Sequence, residues 1–190
     1  METGKNLELR RQIFHATLGI VLVYSLNKNL IDINFLFFAL VIGFIISLIS
    51  KKYNLIGVSW LLKNFGRENE AIPGYGVLTY LIGSVIAIGL FKKEIALASI
   101  MILAFGDSAS HLGRFGKIKN PLSERKFLEG TLFGIVAGTL AASLFVSWKT
   151  AFFGSLIAMG VEGFELVLLK KKIDDNLLIP IVSGLIMSLF

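Results

Sequence analysis

Apolar runs long enough to cross a hydrocarbon layer of about 30 Å follow one another along almost the whole chain, separated by short polar stretches. They cover 12–27, 30–50, 72–91, 95–112, 127–147, 150–169 and 176–190, and they predict seven membrane-spanning helices in one integral membrane domain over residues 1–190. Between the second and third runs, Leu55–Phe65 reads as a short amphipathic helix lying in the interface. The expected fold class is therefore all-α, a polytopic transmembrane bundle. With 55% hydrophobic residues and a mean hydropathy of +0.76, the chain has too little polar surface for a soluble domain of its size. Cysteine is absent, which excludes disulfides, thiol nucleophiles and Cys-based zinc sites. The first run ends at Asn27-Lys28 with no small-residue cleavage pattern, so it is expected to be retained.

A net charge of +6 would suit nucleic acid if it formed one basic face, but here it is broken into clusters between apolar runs. No nucleic-acid partner is expected. Seven spans put Lys28, Lys92, Lys93 and Lys149 on one side and the rest of the 19 basic residues on the other. The positive-inside rule then places the N-terminus in the cytosol and the C-terminus outside. The chain is expected to lie in the lipid bilayer as a multi-pass protein, its small size fitting a prokaryotic plasma membrane.

That topology gathers the ionisable residues near one surface, with Asp32 as the exception. Arg11 and His15 lie four apart on the first helix, Arg67, Glu68 and Glu70 precede the third, and Glu162 and Glu165 share a face of the sixth. A charged side chain near a helix centre costs about 2.5–3.5 kcal/mol on insertion scales. Such a set therefore implies either internal pairing, for example Arg11 with Glu165, or a ligand.

The densest run is Gly106-Asp107-Ser108-Ala109-Ser110-His111-Leu112-Gly113-Arg114-Phe115-Gly116-Lys117. If helical to Leu112, it presents Asp107, Ser110, His111 and Arg114 as one stripe. Gly113 and Gly116 would let backbone amides approach an anion, with Arg114 and Lys117 adding positive charge; a plain glycine-rich turn has the same spacing. Arg125-Lys126-Phe127-Leu128-Glu129-Gly130-Thr131 opens the fifth helix and puts free N–H groups beside two cations and a carboxylate. Mg2+, or a similar divalent cation, takes one or two carboxylates plus phosphate oxygens, and Asp107 with Glu129 are the expected pair. Gly130, Gly134 and Gly138 recur every fourth residue, as in a close-packing seam between helices. A P-loop, a Rossmann fingerprint and a nucleophile elbow are all missing, which excludes the ordinary soluble nucleotide folds.

At these residues the chain resembles the membrane family of CTP-dependent lipid-alcohol kinases, which includes dolichol kinase, phytol kinase and the CTP-using diacylglycerol kinase. The family's nucleotide motif joins an Asp, an Ala and two spaced glycines to Lys-Lys-Thr-x-Glu-Gly eight residues later. Here Lys117–Glu124 separate Gly116 from Arg125-Lys126-Phe127-Leu128-Glu129-Gly130, with Arg for the first Lys and Phe127 for the Thr. In the first half, Ala109, Gly113 and Gly116 each stand closer to Asp107 than in the family. Glu8-Leu9-Arg10-Arg11-Gln12-Ile13-Phe14-His15 is similar to the family's opening, and Arg67-Glu68 before Pro73-Gly74-Tyr75-Gly76 to the approach to its middle span.

The resemblance implies transfer of the γ-phosphoryl of a nucleotide, CTP favoured, to the hydroxyl of a polyprenol-, dolichol-, phytol- or diacylglycerol-type lipid at the cytosolic face. Asp107, Lys126 and Glu129 would be catalytic, Asp107 and Glu129 holding the metal. Gly113, Arg114, Gly116, Lys117, Arg125, Lys126 and Gly130 would bind the nucleotide, and Arg11, His15, Arg67, Glu68 and Glu162 would line the substrate pocket. A cytidylyltransferase making a CDP-lipid would need similar parts. A membrane transporter would also bury carboxylates, though closer to the midplane of paired repeats.

Overall fold

A computed structural model describes residues 4–66, 72–112, 118, 127–163, 167–168 and 171–190. Helices α1 (Gly4–Asn27), α2 (Ile33–Ser50), α3 (Ile56–Phe65) and α4 (Tyr75–Leu90) are followed by a composite rod: α5 (Lys93–Met101), a π-helical segment (Ile102–Asp107) and α6 (Ser108–Leu112). Helices α7 (Leu128–Ala142), α8 (Trp148–Gly163) and α9 (Asp175–Met187) complete the helical bundle. Three of them begin where local chemistry dictates. Asp32 caps α2 by accepting the Phe35 N–H at 2.9 Å, Gly74 precedes α4 in the left-handed region at φ 72°, and Asp174 caps α9 through the Asn176 N–H at 3.0 Å.

Two expected spans end early. The fifth stops at Ala142, where Ser143, Phe145 and Val146 fold into a turn and Ser147 Oγ accepts the Thr150 N–H at 3.2 Å to start α8. The sixth is helical through Gly163 but is strand at Val167–Leu168, inside the run expected to be helical to 169. It gives way to two-residue strands, β1 (Val167–Leu168) and β2 (Lys171–Lys172), paired antiparallel with Val167 opposite Lys172. Apolar character was the only sequence cue across both ends, and an apolar run does not distinguish helix from strand or turn.

The composite rod is the axis of the molecule. Ala96, Ala98, Ile100, Ile102, Leu103 and Ala104 on it are completely buried, and α1, α4, α7, α8 and α9 pack around it. Small residues allow that packing. A Cβ on Gly134 would sit 2.6 Å from Met159 Cε and 2.9 Å from the Gly106 carbonyl oxygen, and one on Gly138 would sit 3.1 Å from Ser155 Oγ. Of the seam expected of 130, 134 and 138, Gly134 and Gly138 join α7 to the rod and to α8. On the other flank, Gly83 of α4 admits the Asn176 carbonyl of α9, and Gly184 admits the Phe91 ring.

The seven long rods alternate in direction. One end collects Asn27, Asn29 and Lys93, whose Nζ donates to Asn29 Oδ1 at 2.6 Å, and also Lys149 beside the Phe190 ring. The opposite end collects the start of α1, the end of α2 through the bond from Ser47 Oγ to the Pro73 carbonyl, the start of α4 and the start of α9. Among the described residues, α2 alone is both long and apolar enough to cross a membrane; α4, α7 and α9 are apolar but shorter. Helix α2 also leaves most of its surface outward, burying only Leu36 and Ser47, with Phe35, Phe37, Phe38 and Phe44 exposed.

Overpacking the seam should break the bundle. Gly134→Leu is expected to cost about 1–3 kcal/mol or more, because the obstacles include a backbone oxygen, whereas Gly160→Ala, with nothing within 4 Å of its added Cβ, should be tolerated. Thermal unfolding in detergent of the two variants checks the contrast.

Candidate active site

The π-helical segment ends at Asp107, and that position decides the site. Each i to i+5 turn adds a residue relative to α-helical spacing, so the residues that follow are rotated about the axis; such turns are frequent at functional sites. Asp107 is 7% exposed. Ser110 Oγ donates to its carbonyl oxygen at 2.8 Å, and His111 Nδ1 lies 3.9 Å from its Oδ1. The stripe expected of Asp107, Ser110 and His111 is therefore present; its fourth member, Arg114, lies outside the described residues.

Two other elements bring carboxylates to Asp107. Glu162, in the last turn of α8 and 1% exposed, and Asp175, the first residue of α9, join it so that one oxygen of each lies within 4.8 Å of the other two. Asn176 pins that end of α9 by donating from Nδ2 to Thr79 Oγ1 at 2.9 Å and to the Gly76 carbonyl at 3.2 Å. Three carboxylates this close and largely buried repel one another when ionised. A hard divalent cation, which takes two or three carboxylate oxygens and completes its shell with water or phosphate, suits such a donor set.

Helix α1 closes the other flank. His15 Nε2 stands 3.8 Å from Asp107 Oδ2, and its ring meets the buried Tyr80 ring edge-on, with centroids 4.6 Å apart. Glu8 accepts from Arg11 Nη2 at 2.7 Å and from Gln12 Nε2 at 2.8 Å, and His111 Nε2 is 3.4 Å from the same oxygen. Gln12, 94% removed from solvent, also accepts the Ser108 hydroxyl on its backbone oxygen at 3.2 Å, tying α1 to the rod.

These groups form one end of a cavity of about 570 Å3. Arg11, Gln12, His15, Asp107, His111 and Asp175 line its polar end, while Ile46 of α2, Val58, Leu61 and Phe65 of α3, and Leu78 and Leu81 of α4 line the remainder. The amphipathic α3 read from the sequence is thus a wall of this cavity. Its Phe65 ring stacks on Phe14 of α1 at 4.8 Å, and its Ile56 and Trp60 face outward.

The structure brings together Asp107, Glu162, His15 and Arg11, but the carboxylates around Asp107 are Glu162 and Asp175; Glu129 is not among them. Both Glu129 oxygens instead approach the Ile118 N–H, at 3.1 and 3.4 Å, and the Leu128 N–H donates to the Ile118 carbonyl at 3.0 Å. Because α7 passes Gly106 at Gly134, Glu129 lies about 7 Å further along the helix axis. Arg11 pairs with Glu8, and Glu165, once considered as its partner, lies outside the described residues. So do Arg67, Glu68, Gly113, Arg114, Gly116, Lys117, Arg125 and Lys126; Gly130 is buried in the first turn of α7. Asp175 is the residue that sequence reasoning missed, because the last apolar run was begun at 176. The Asp174-Asp175-Asn176 start of a helix was the signal for it.

If the trio holds a cation, Mg2+ should raise the unfolding temperature of the protein, and Glu162→Gln should weaken that rise. A Mg2+ titration followed by thermal unfolding reads both effects.

No family model and no solved structure matches this chain. Several known proteins do. A protein of Methanocaldococcus jannaschii called uncharacterized is 31% identical over 186 residues, covering 95% of this chain and 93% of that one. The CTP-dependent diacylglycerol kinase 1 of Eremothecium gossypii is 26% identical over 213 residues, covering 95% of this chain and 66% of the kinase. The probable chloroplastic phytol kinase of Triticum aestivum is 24% identical over 198 residues, covering 94% of this chain and 66% of that protein. The chain thus spans just under two thirds of the length of those two named relatives. A likeness that runs nearly end to end through α1, the composite rod and α9, and that reaches both named kinases, makes this chain a member of the family of CTP-dependent lipid kinases.

Proposed function

We propose that the protein phosphorylates the hydroxyl of a membrane lipid alcohol, using CTP as donor, with the acid cluster and its two histidines as the reaction centre. The observation that carries this reading is the shape of the cavity: carboxylates and histidines at one end, aliphatic and aromatic walls along the rest. A soluble substrate has no use for such walls. A lipid alcohol would keep its hydrocarbon against α2, α3 and α4 and put only its hydroxyl beside Asp107.

In this reading Asp107, Glu162 and Asp175 hold the divalent cation, which when bound neutralises charge on the phosphates and orients them. Asp107 and His15, 3.8 Å apart, stand where the hydroxyl proton would be accepted. The alcohol oxygen forms its bond to the γ-phosphorus while the bond from that phosphorus to the β,γ-bridging oxygen breaks. CDP departs with the electron pair. Arg114, Lys117, Arg125 and Lys126, with the amides of Gly113 and Gly116, are assigned to the phosphates. Glu129 holds Ile118 and so anchors the far side of that segment to the first turn of α7; Arg11 keeps Glu8 oriented toward His111.

We further read the seven alternating rods as bilayer crossings, with the site end in the cytosol. The outward aromatic face of α2 and the gathering of basic residues toward the site end support that reading.

Purified protein with Mg2+, labelled CTP or ATP, and a panel of polyprenol, phytol and diacylglycerol tests the activity. A lipid monophosphate carrying the γ label, with free CDP, is the expected product. Cytidine in the lipid product would make the enzyme a cytidylyltransferase instead, and no labelled lipid with either nucleotide would overturn the proposal. Asp107→Asn and Glu162→Gln should each lower kcat by a factor of about 10² or more in folded protein, and Glu129→Gln should act mainly on the KM for CTP.

A further inference from the structure

Gly76, in the first turn of α4, lines the cavity, and a Cβ added there would meet nothing within 4 Å. Most glycines in this bundle are explained by what they touch. Gly83, Gly134 and Gly184 sit against backbone or a ring, and Gly74 adopts a positive φ that other residues avoid. None of this applies to Gly76: among the described glycines Gly74 alone has a positive φ, and no neighbour crowds position 76. A glycine inside a helix also weakens it relative to alanine, so neither backbone nor packing accounts for the missing side chain. Gly57 and Gly160 are similarly uncrowded, but neither lines the cavity.

The position of the void gives it a chemical meaning. Gly76 lines the same cavity as Asp107 and Asp175, and its carbonyl accepts from Asn176, the residue after Asp175, which ties this turn of α4 to the end of α9 that carries the acid. We propose that Gly76 is a specificity-determining residue: the room left by its absent side chain receives the carbons next to the reacting hydroxyl and sets how broad an acceptor the site admits. The inference rests on the lipid-kinase reading and deepens it by naming the substrate class, alcohols that are branched or bulky beside the hydroxyl. A straight-chain primary alcohol would not need the space.

The test compares the full-length protein with Gly76→Ala and Gly76→Leu in detergent micelles, using CTP, Mg2+ and three acceptors: a straight-chain long alcohol, phytol and diacylglycerol. Gly76→Leu should lower kcat/KM for the bulkiest accepted alcohol at least tenfold relative to the straight-chain alcohol, leaving the KM for CTP within about twofold. Gly76→Ala should shift the ratio in the same direction, by less, while unfolding at the same or a higher temperature; it carries the test if the leucine variant fails to fold. Equal losses on all three acceptors, or an unchanged ratio in a folded variant, would overturn the proposal. Photolabelling with a diazirine-bearing branched long-chain alcohol separates the two readings. Labelling of wild type that is lost in Gly76→Leu upholds the acceptor pocket even if no lipid is phosphorylated, and labelling unchanged by the substitution sinks it even if the kinase activity is real.

Discussion

Three carboxylates drawn together inside an apolar bundle are the constraint around which the rest of this structure is arranged. Asp107, Glu162 and Asp175 come from three different elements, so only the packing of the bundle brings them together. Their mutual repulsion has to be offset by packing elsewhere and by whatever positive charge the site accepts. The offset is visible in the glycines: α7 lies against the rod because Gly134 and Gly138 have no side chains, and α9 lies against α4 because Gly83 admits the Asn176 carbonyl. Close backbone contact supplies dispersion energy at these crossings. The same contacts set the depth at which each acid enters the site.

The cavity exists for a complementary reason. Helix α2 packs chiefly on α4 and leaves most of its surface outward, so no side chains from a neighbouring long helix fill the space between α1, α2 and α4. Helix α3 covers that space with Val58, Leu61 and Phe65, its Phe65 stacked on Phe14. A bundle packed as tightly there as around the rod would have no room for a ligand. One side of the molecule is therefore solid, the other is hollow and walled mostly by hydrocarbon, and the acids sit where the two meet.

Much of this was legible in the sequence, because it depends on patterns a single chain displays. The runs of apolar residues gave the long helices, the four-residue glycine spacing gave the seam, and the amphipathic pattern of 55–65 gave α3. Convergence of the ionisable residues toward one end followed from helix alternation. What could not be read was azimuth. Whether Asp107 faces Glu129 or Glu162 depends on the rotation introduced by the π-helical segment, which leaves no mark in composition, and on α8 being replaced by strand at Val167–Leu168 within a run that reads as one apolar span. Asp175 is hidden for the opposite reason: its local signal, an acidic helix start, is present, but it stands at the very edge of an apolar run whose length dominates the pattern.

The division between solid and hollow sides also bears on how the proposed lipid-kinase site would take a long hydrocarbon. A soluble enzyme acting on a long hydrocarbon must enclose the tail, since any exposed part costs free energy in proportion to its area. A cavity of about 570 Å3 walled by α2, α3 and α4 need enclose only the part nearest the hydroxyl, provided the remainder stays in lipid beside the exposed aromatic residues of α2. The polar work is then confined to one end of the bundle, where His15, His111, Asp107 and Asp175 are contributed by helix ends facing the same space. In the proposed reading, binding energy from the tail would hold the hydroxyl against Asp107, and the bilayer would complete the site.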